Sequence, residues 1–415
     1  MALTTPLDVE RTKKDFPILR TCATGRDLIY LDNAATSQKP QQVLDALADY
    51  YTQHNANVHR GAYWLAEKAT EAMEQARGRV RRFVGGHSDR ELVFVRNATE
   101  GINLVANSYA RHRLRTGDVI LLSHLEHHSN IVPWQILAAG SGLEIRWVRL
   151  TADGEVDLSD LDRLLDGVKL VGISAQSNVL GTMPPVAEIT AAARRVGAVT
   201  MVDACQFVPH HTTDVADWDA DFVAFSAHKM CGPTGIGALW GREDLLEAMP
   251  PFLGGGSMIL NVTLDGFTPT ELPWKFEAGT PAIAEIVGFG AAVDYLEGLG
   301  MDAISCHERS LTTYALRRLG EVHGERLRIY GPAEATHRGG MVSFSYGDVH
   351  PHDVSQVLDQ AGICVRAGHH CAKPLLAVLD VTTGALTRAS WYLYNDCSDI
   401  DALVEALSGV DDLFF

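Results

Sequence analysis

The chain has 415 residues, 46% hydrophobic and 21% charged, a balance that supports a large buried core without disulfide or metal staples. Thirty-five Lys and Arg against 52 Asp and Glu leave a formal charge of −17, which repels nucleic acid, whose binding needs cations on the phosphates. The seven cysteines include no C-x-x-C pair, the opening MALTTPLDVERTKKDFPIL lacks the apolar run of a secretory signal, and no stretch approaches the ~18 apolar residues of a membrane span. Reduced thiols in a cytoplasm, no membrane and no nucleic-acid partner are the expectations.

From about residue 28, short apolar runs alternate with amphipathic stretches. LIYL is followed by a predicted helix over residues 40–54 and another over 65–84. ELVFV leads into NATEGINLVANSYARHRL, and DVILLS leads through HLEHHSN into IVPWQILAAG. VKLVGIS precedes a loop and then VAEITAAARRVG, while AVTMVDA, DFVAFSA and IGALWG are further apolar runs. Continuous apolarity suits strands buried on both faces, so the pattern predicts an α/β fold with a mostly parallel central sheet covered by helices. The Gly/Pro-rich PPFLGGGSMILNVTLDGFTPTELPW reads as an excursion from this body. A long helix over 282–299 closes a large domain spanning 26–300. Helices over 302–319 and 352–360, with GGMVSFSYG and GICVRAG as strands, predict a smaller α+β domain of residues 301–415, joined by 1–25.

Chemistry concentrates in a few places. Lys229, in AFSAHKMCGPTGIG, follows an apolar run and precedes a glycine-rich turn. Asp203 and Gln206 close the apolar run VTMVDACQ, and a carboxylate there needs a partner. A lysine that binds an aldehyde covalently, plus an acid on a pyridinium nitrogen, is what pyridoxal 5'-phosphate (PLP) requires. Ala98, Thr99 and Glu100 in NATEG sit at a predicted helix start, which suits a phosphate, and Ser226 and His228 could add donors. His127 in EHHSN could stack on the ring. A zinc site on His127 and His128 is disfavoured, because adjacent side chains diverge and no third ligand follows at zinc spacing; no metal is expected. In VRAGHHCAKPLL, Cys371 lies in a polar turn beside Arg366, His369 and His370, which would favour its thiolate. Cys364, inside GICVRA, reads as an inert apolar residue.

The motifs YLDNAATSQKP, NVHRGAYWLAEKAT, NATEGIN, EHHSNIVPWQ, VDACQ, SAHKMCGPTGIGALWG, FEAGTP and RAGHHCAKPL occur in order, from about Phe16 to the end. Together they resemble the SufS-type (group II) cysteine desulfurases, fold-type I PLP enzymes of aminotransferase class V. The resemblance implies roles. Lys229 carries the cofactor, Asp203 pairs with the pyridinium, Gln206 bonds the phenolic oxygen, and His127 stacks on the ring and moves protons. Thr99, Ser226 and His228 hold the phosphate, with Thr280 of FEAGTP reaching it across a homodimer interface. Asn178 and Arg388, with Arg366 nearby, hold the substrate carboxylate, and Cys371 takes the sulfur of L-cysteine as a persulfide while L-alanine leaves. A SufE- or SufU-like protein then accepts the sulfur for iron–sulfur cluster assembly or another sulfur-donating pathway. L-selenocysteine lyase, or C–S lyase on a cysteine conjugate, is the alternative activity. Ser257, Ala98, Asp396 and Cys397 depart from the family pattern.

Overall fold

The computed structural model describes residues 6–23 and 25–415. Seven strands form the main sheet: β1 (Leu92–Val95), β2 (Val119–Ser123), β3 (Glu144–Val148), β4 (Val168–Ser174), β5 (Val199–Asp203), β6 (Phe222–Ser226) and β7 (Gly237–Gly241). Their order is β1-β7-β6-β5-β4-β2-β3. From β6 across to β3 the pairings are parallel, and β7 alone runs against both its neighbours. In β1, Leu92 and Phe94 enter one buried cluster while Val93 and Val95 enter another. In β6, Val223 and Phe225 part from Phe222 and Ala224 in the same way. Alternate side chains therefore feed two cores, and this is why these strands are apolar throughout.

One face is covered by helices Trp64–Phe83 and Ile283–Leu299, through residues such as Met73, Val80, Phe289 and Val293. The other is covered by Ala98–Leu104 and Val132–Ser141, through Ile102, Leu104, Trp134 and Leu137. All strands except β7 end at the same edge, where a sheet of this kind offers its binding crevice. Ser123, Ser174, Asp203 and Ser226 are the last residues of their strands.

A second sheet is antiparallel: β8 (Leu327–Tyr330), β9 (Met341–Tyr346), β10 (Arg366–Gly368) and β11 (Leu386–Ser390), in the order β8-β9-β11-β10. Helices Met301–His323, Pro351–Gln360 and Cys397–Phe414 share its apolar cluster. The LDNAAT segment links the second sheet to the turn after β6, where the Thr36 hydroxyl donates to the His228 carbonyl at 2.9 Å. Asp32 bridges Ser390, the Asn33 amide donates to the Ser390 carbonyl at 2.7 Å, and the Ala34 N–H donates to Ser390 Oγ at 2.9 Å. The N-terminal segment touches both bodies: Lys13 lies 3.3 Å from Asp399, while Phe16 packs against Tyr295 and Tyr394. Residues 1–5 and Thr24, assigned above to the small domain, lie outside the described residues.

The Gly/Pro-rich excursion is an exposed hairpin of Ile259–Val262 and Phe267–Pro269. Strands β3, β8 and β11 and the helix Cys397–Phe414 were not legible in the sequence. Strand β3 lies at the sheet edge and is only partly buried. Strand β11 is wholly buried yet reads LTRAS; Leu386 and Ala389 enter apolar clusters, and its pairing and the partners of Arg388 hold the polar residues between them. Asp396, a departure from the family pattern, is the helix cap: its carboxylate accepts the Ser398 and Asp399 N–H groups at 2.8 and 3.3 Å. No helix among the described residues is long and apolar enough to cross a membrane.

Candidate active site

A cavity of about 300 Å³ opens where the strand ends meet β10 and β11. Lys229 enters it from the short turn Ala227–Lys229 that follows β6. Asp203, 6% exposed, lines it from the end of β5. Burial raises the Asp203 pKa, and the Cys205 N–H, 3.0 Å from its Oδ1, and Lys229 oppose that rise. Gln206 donates to the Ala34 carbonyl at 2.7 Å, which leaves its Oε1 buried without a partner.

His127 follows β2. Its Nδ1 accepts the Ser129 N–H at 3.0 Å, so the neutral ring carries its proton on Nε2. Burial, reinforced by Lys229, His128 and Arg388, holds its pKa down to about 3, so the ring is neutral at pH 7. Thr99 stands at the start of the helix Ala98–Leu104, capped by Asn97, and its hydroxyl is 2.7 Å from that of Ser129. Ser226 Oγ accepts the Ala98 N–H at 2.9 Å. Ala98 thus contributes through its backbone although it lacks the hydroxyl common in the family. His228 is pushed down to about 4 by burial, then by Lys229 and Lys39. Behind it, the Lys39 ammonium, lowered to about 8 by burial, donates to the His228 carbonyl at 3.1 Å. The motif YLDNAATSQKP contains Lys39, but nothing in its spacing marks a half-buried lysine.

At the other end stand two guanidinium groups and one carboxylate. Arg388 donates to the Asn178 carbonyl at 2.7 Å and to Asp32 at 3.1 Å, and its Nε has no partner. Arg366 donates to the same Asp32 at 3.0–3.2 Å. Two positive charges against one negative leave this corner positive by one, a fit for a substrate carboxylate. Asp32 was overlooked because its role depends on two strands more than 300 residues away.

Cys371 is exposed and lines the cavity. Its φ of 55° and that of His370, 51°, are left-handed, a conformation that costs a non-glycine residue about 1–3 kcal/mol. Of the neighbours expected to favour a thiolate, His370 brings no charge: burial holds it down to about 3, and its Nε2–H donates to the Leu386 carbonyl at 3.1 Å. Arg366 shares its charge with Asp32. The other cavity cysteine, Cys205, is buried and its thiol is pushed up to about 11. Thr280 does not reach this cavity. It lines two separate surface hollows, one of which it shares with Ser257. No group of three or more His, Cys, Asp or Glu side chains able to hold a metal occurs among the described residues.

The fit to a polar guest can be tested on the side chains themselves. Seven buried side-chain N or O atoms lack a partner among the described residues, and those of Gln206, His370 and Arg388 belong to residues lining the cavity. Buried polar atoms are rarely left single, so this concentration marks a place built around a polar molecule. A lysine, a buried carboxylate and a helix start with hydroxyls within one cavity define a fold-type I PLP site.

Residues 29–403 match the family model of the class-V aminotransferases. A probable cysteine desulfurase of Streptomyces coelicolor is 52% identical, covering 98% of each chain. The apo structure of the cysteine desulfurase of Thermococcus onnurineus superimposes with a TM-score of 0.93 at 37% identity, over 99% of this chain and all of that one. The cysteine desulfurase CsdA of Escherichia coli gives 0.91 at 38% identity, over 99% of this chain and all of that one. The chain belongs to the class-V aminotransferase family, within its PLP-dependent cysteine desulfurases.

Proposed function

We propose that the chain converts L-cysteine to L-alanine and passes the sulfur to Cys371. The observation that carries this reading is a single accessible cysteine at the mouth of a cavity that also holds Lys229, Asp203 and the Arg388 corner. PLP, when bound, supplies an electron sink for the substrate's α-carbon. Lys229 would hold the cofactor and, once released from it, carry the α-proton, and Asp203 would pair with the pyridinium nitrogen. Thr99, Ser226 and His228 would hold the phosphate, and Gln206 the phenolic oxygen. Arg388 and Asn178 orient the substrate carboxylate. The Cys371 thiolate attacks the substrate's sulfur; the carbon–sulfur bond breaks, a sulfur–sulfur bond forms, and the β-carbon takes up a proton. His127, neutral with its proton on Nε2, is placed to move that proton. The balance is cysteine plus enzyme thiol to alanine plus enzyme persulfide, which a thiol-bearing acceptor then discharges.

The finer reading is a SufS-type enzyme of the cytoplasm that serves iron–sulfur cluster assembly through a SufE- or SufU-like acceptor. Residues 26–300 form the cofactor-binding domain, and 1–25 with 301–415 the domain carrying Cys371. A homodimer is supported by Thr280, which lies outside its own chain's cavity and lines a hollow with exposed Ser257 and the exposed hairpin residue Leu260. The deciding assay follows Cys371→Ala with two substrates. Sulfur in bound cysteine is a poor leaving group, whereas the more acidic selenol of selenocysteine leaves readily. The variant should keep its yellow colour, lose persulfide and alanine formation from L-cysteine, and retain much of its turnover of L-selenocysteine. Undiminished cysteine turnover would show that another thiol, or simple elimination, carries the reaction.

A further inference from the structure

Two consecutive left-handed residues, His370 and Cys371, persist only where their surroundings over-determine them. Within the loop, His369 accepts the Cys371 N–H on Nδ1 at 3.1 Å and the Ala372 N–H on its carbonyl at 2.9 Å, and further braces come from outside. Asn178 Nδ2 donates to the His370 carbonyl at 2.6 Å, and the His128 N–H donates to the Cys371 carbonyl at 2.7 Å. The His128 side chain grips the far side: its Nε2 accepts the Lys373 N–H at 3.0 Å. Lys373 is the first residue of the helix Lys373–Val378, and the capping residue, Ala372, has no side-chain acceptor to offer. The imidazole of His128 therefore satisfies an N–H that the helix itself leaves single. Its ring also lies against that of His369, with centroids 5.5 Å apart.

The turn that carries His128 is itself held firmly. The buried carboxylate of Glu126 accepts from the Ser123 hydroxyl, from the N–H and hydroxyl of Ser174, and from the Asn130 amide. His127, one residue away, faces the cavity, while His128 faces the nucleophile loop. Burial, then His369 and Lys373, lowers the His128 pKa, in keeping with Nε2 as the acceptor of the Lys373 N–H.

We propose that His128 is a positioning residue for sulfur transfer: its imidazole latches the loop that holds Cys371 at the cavity mouth. The proposal deepens the reading of Cys371 as sulfur acceptor and rests on it. The latch works without touching substrate or cofactor. The backbone N–H of His128 fixes the Cys371 carbonyl and its imidazole fixes the amide two residues later, so the loop cannot relax out of its left-handed turn. Asn178 holds the residue before and His369 Nδ1 accepts the Cys371 N–H at 3.1 Å, while His128 braces the cysteine's carbonyl and the helix beyond it.

The test compares holoenzymes carrying His128→Phe, which keeps a ring without an acceptor, and His128→Gln, whose Oε1 reaches the place of Nε2. Phe should lower alanine and persulfide formation from L-cysteine by about tenfold, the worth of one well-made hydrogen bond, and Gln should restore most of it. Turnover of L-selenocysteine, which does not need the Cys371 thiol, should stay within about twofold of the parent, since a change that small lies below one hydrogen bond. Hydrogen–deuterium exchange should quicken in the peptide covering residues 366–378 and nowhere else. If the Phe variant does not fold, His128→Asn, too short to reach the Lys373 N–H, takes its place with the same expectations. Unchanged cysteine turnover, or equal loss on both substrates, would overturn the latch. If Cys371→Ala retained cysteine turnover, the sulfur-acceptor reading would fail by itself, while local exchange in the His128 variants would still report on the loop.

Discussion

Replacing Arg388 with Met removes a buried cation while keeping the length of the side chain. In the structure Arg388 is 2% exposed, and burial, opposed by Asp32, lowers its pKa. The substitution should not strand Asp32, because three contacts from Arg366 at 3.0–3.2 Å remain. What is lost is the unpartnered Nε, the net positive charge of the corner and the 2.7 Å bond to the Asn178 carbonyl. One to two hydrogen bonds from a cation to the substrate carboxylate are worth about 2–4 kcal/mol, so kcat/KM for L-cysteine should fall about 30- to 1,000-fold. Arg388→Lys should lie between, since an ammonium keeps the charge but not the fork. The assay is initial-rate alanine release over a range of L-cysteine, with the cofactor's absorbance reporting binding. Cysteamine, which has no carboxylate, should bind the parent and the Met variant alike. A kcat/KM within about threefold of the parent, less than a single hydrogen bond accounts for, would refute the assignment of Arg388 to the carboxylate.

Lys229→Ala should abolish turnover and borohydride-fixable colour while leaving the circular dichroism spectrum unchanged; substantial alanine formation would remove Lys229 from the mechanism. Glu277→Ala should destabilise the fold by about 3–5 kcal/mol in a denaturant titration. The reason is that fully buried Arg77, now held by Glu277 at 2.6 and 2.9 Å, would lose its main counter-charge. The apoprotein should lose stability as pH falls from about 6.5 toward 4. His127, His211 and His370, at about 3, and His228, at about 4, are kept neutral by burial in the fold, whereas the unfolded chain protonates them from about 6.5. The unfolded state then binds more protons, worth about 1.4 kcal/mol per pH unit for each histidine. Glu126, raised to about 7 by burial, works in the opposite direction, as do Asp203 and Asp221, so the observed slope is shallower. Urea midpoints that rise between pH 6.5 and 5 would contradict this.

The sequence by itself determined the α/β sheet and the chemical inventory of the site. Strands such as LVFV and FVAFS are buried on both faces, so their apolarity is continuous and readable without neighbours. Lys229, Asp203, Thr99 and Cys371 sit in local motifs whose residue types already imply their chemistry. Only the tertiary structure decided what depends on partners far along the chain. Strand β11 is polar in sequence and becomes a strand because Met341–Tyr346 and Arg366–Gly368 pair with it. Asp32 acquires meaning from Arg366 and Arg388, and His128 from the Lys373 amide 245 residues away. The charge state around Cys371 was likewise out of reach of the sequence. Burial, not residue type, neutralises His370, because an imidazolium removed from water without a counter-charge is too costly to keep.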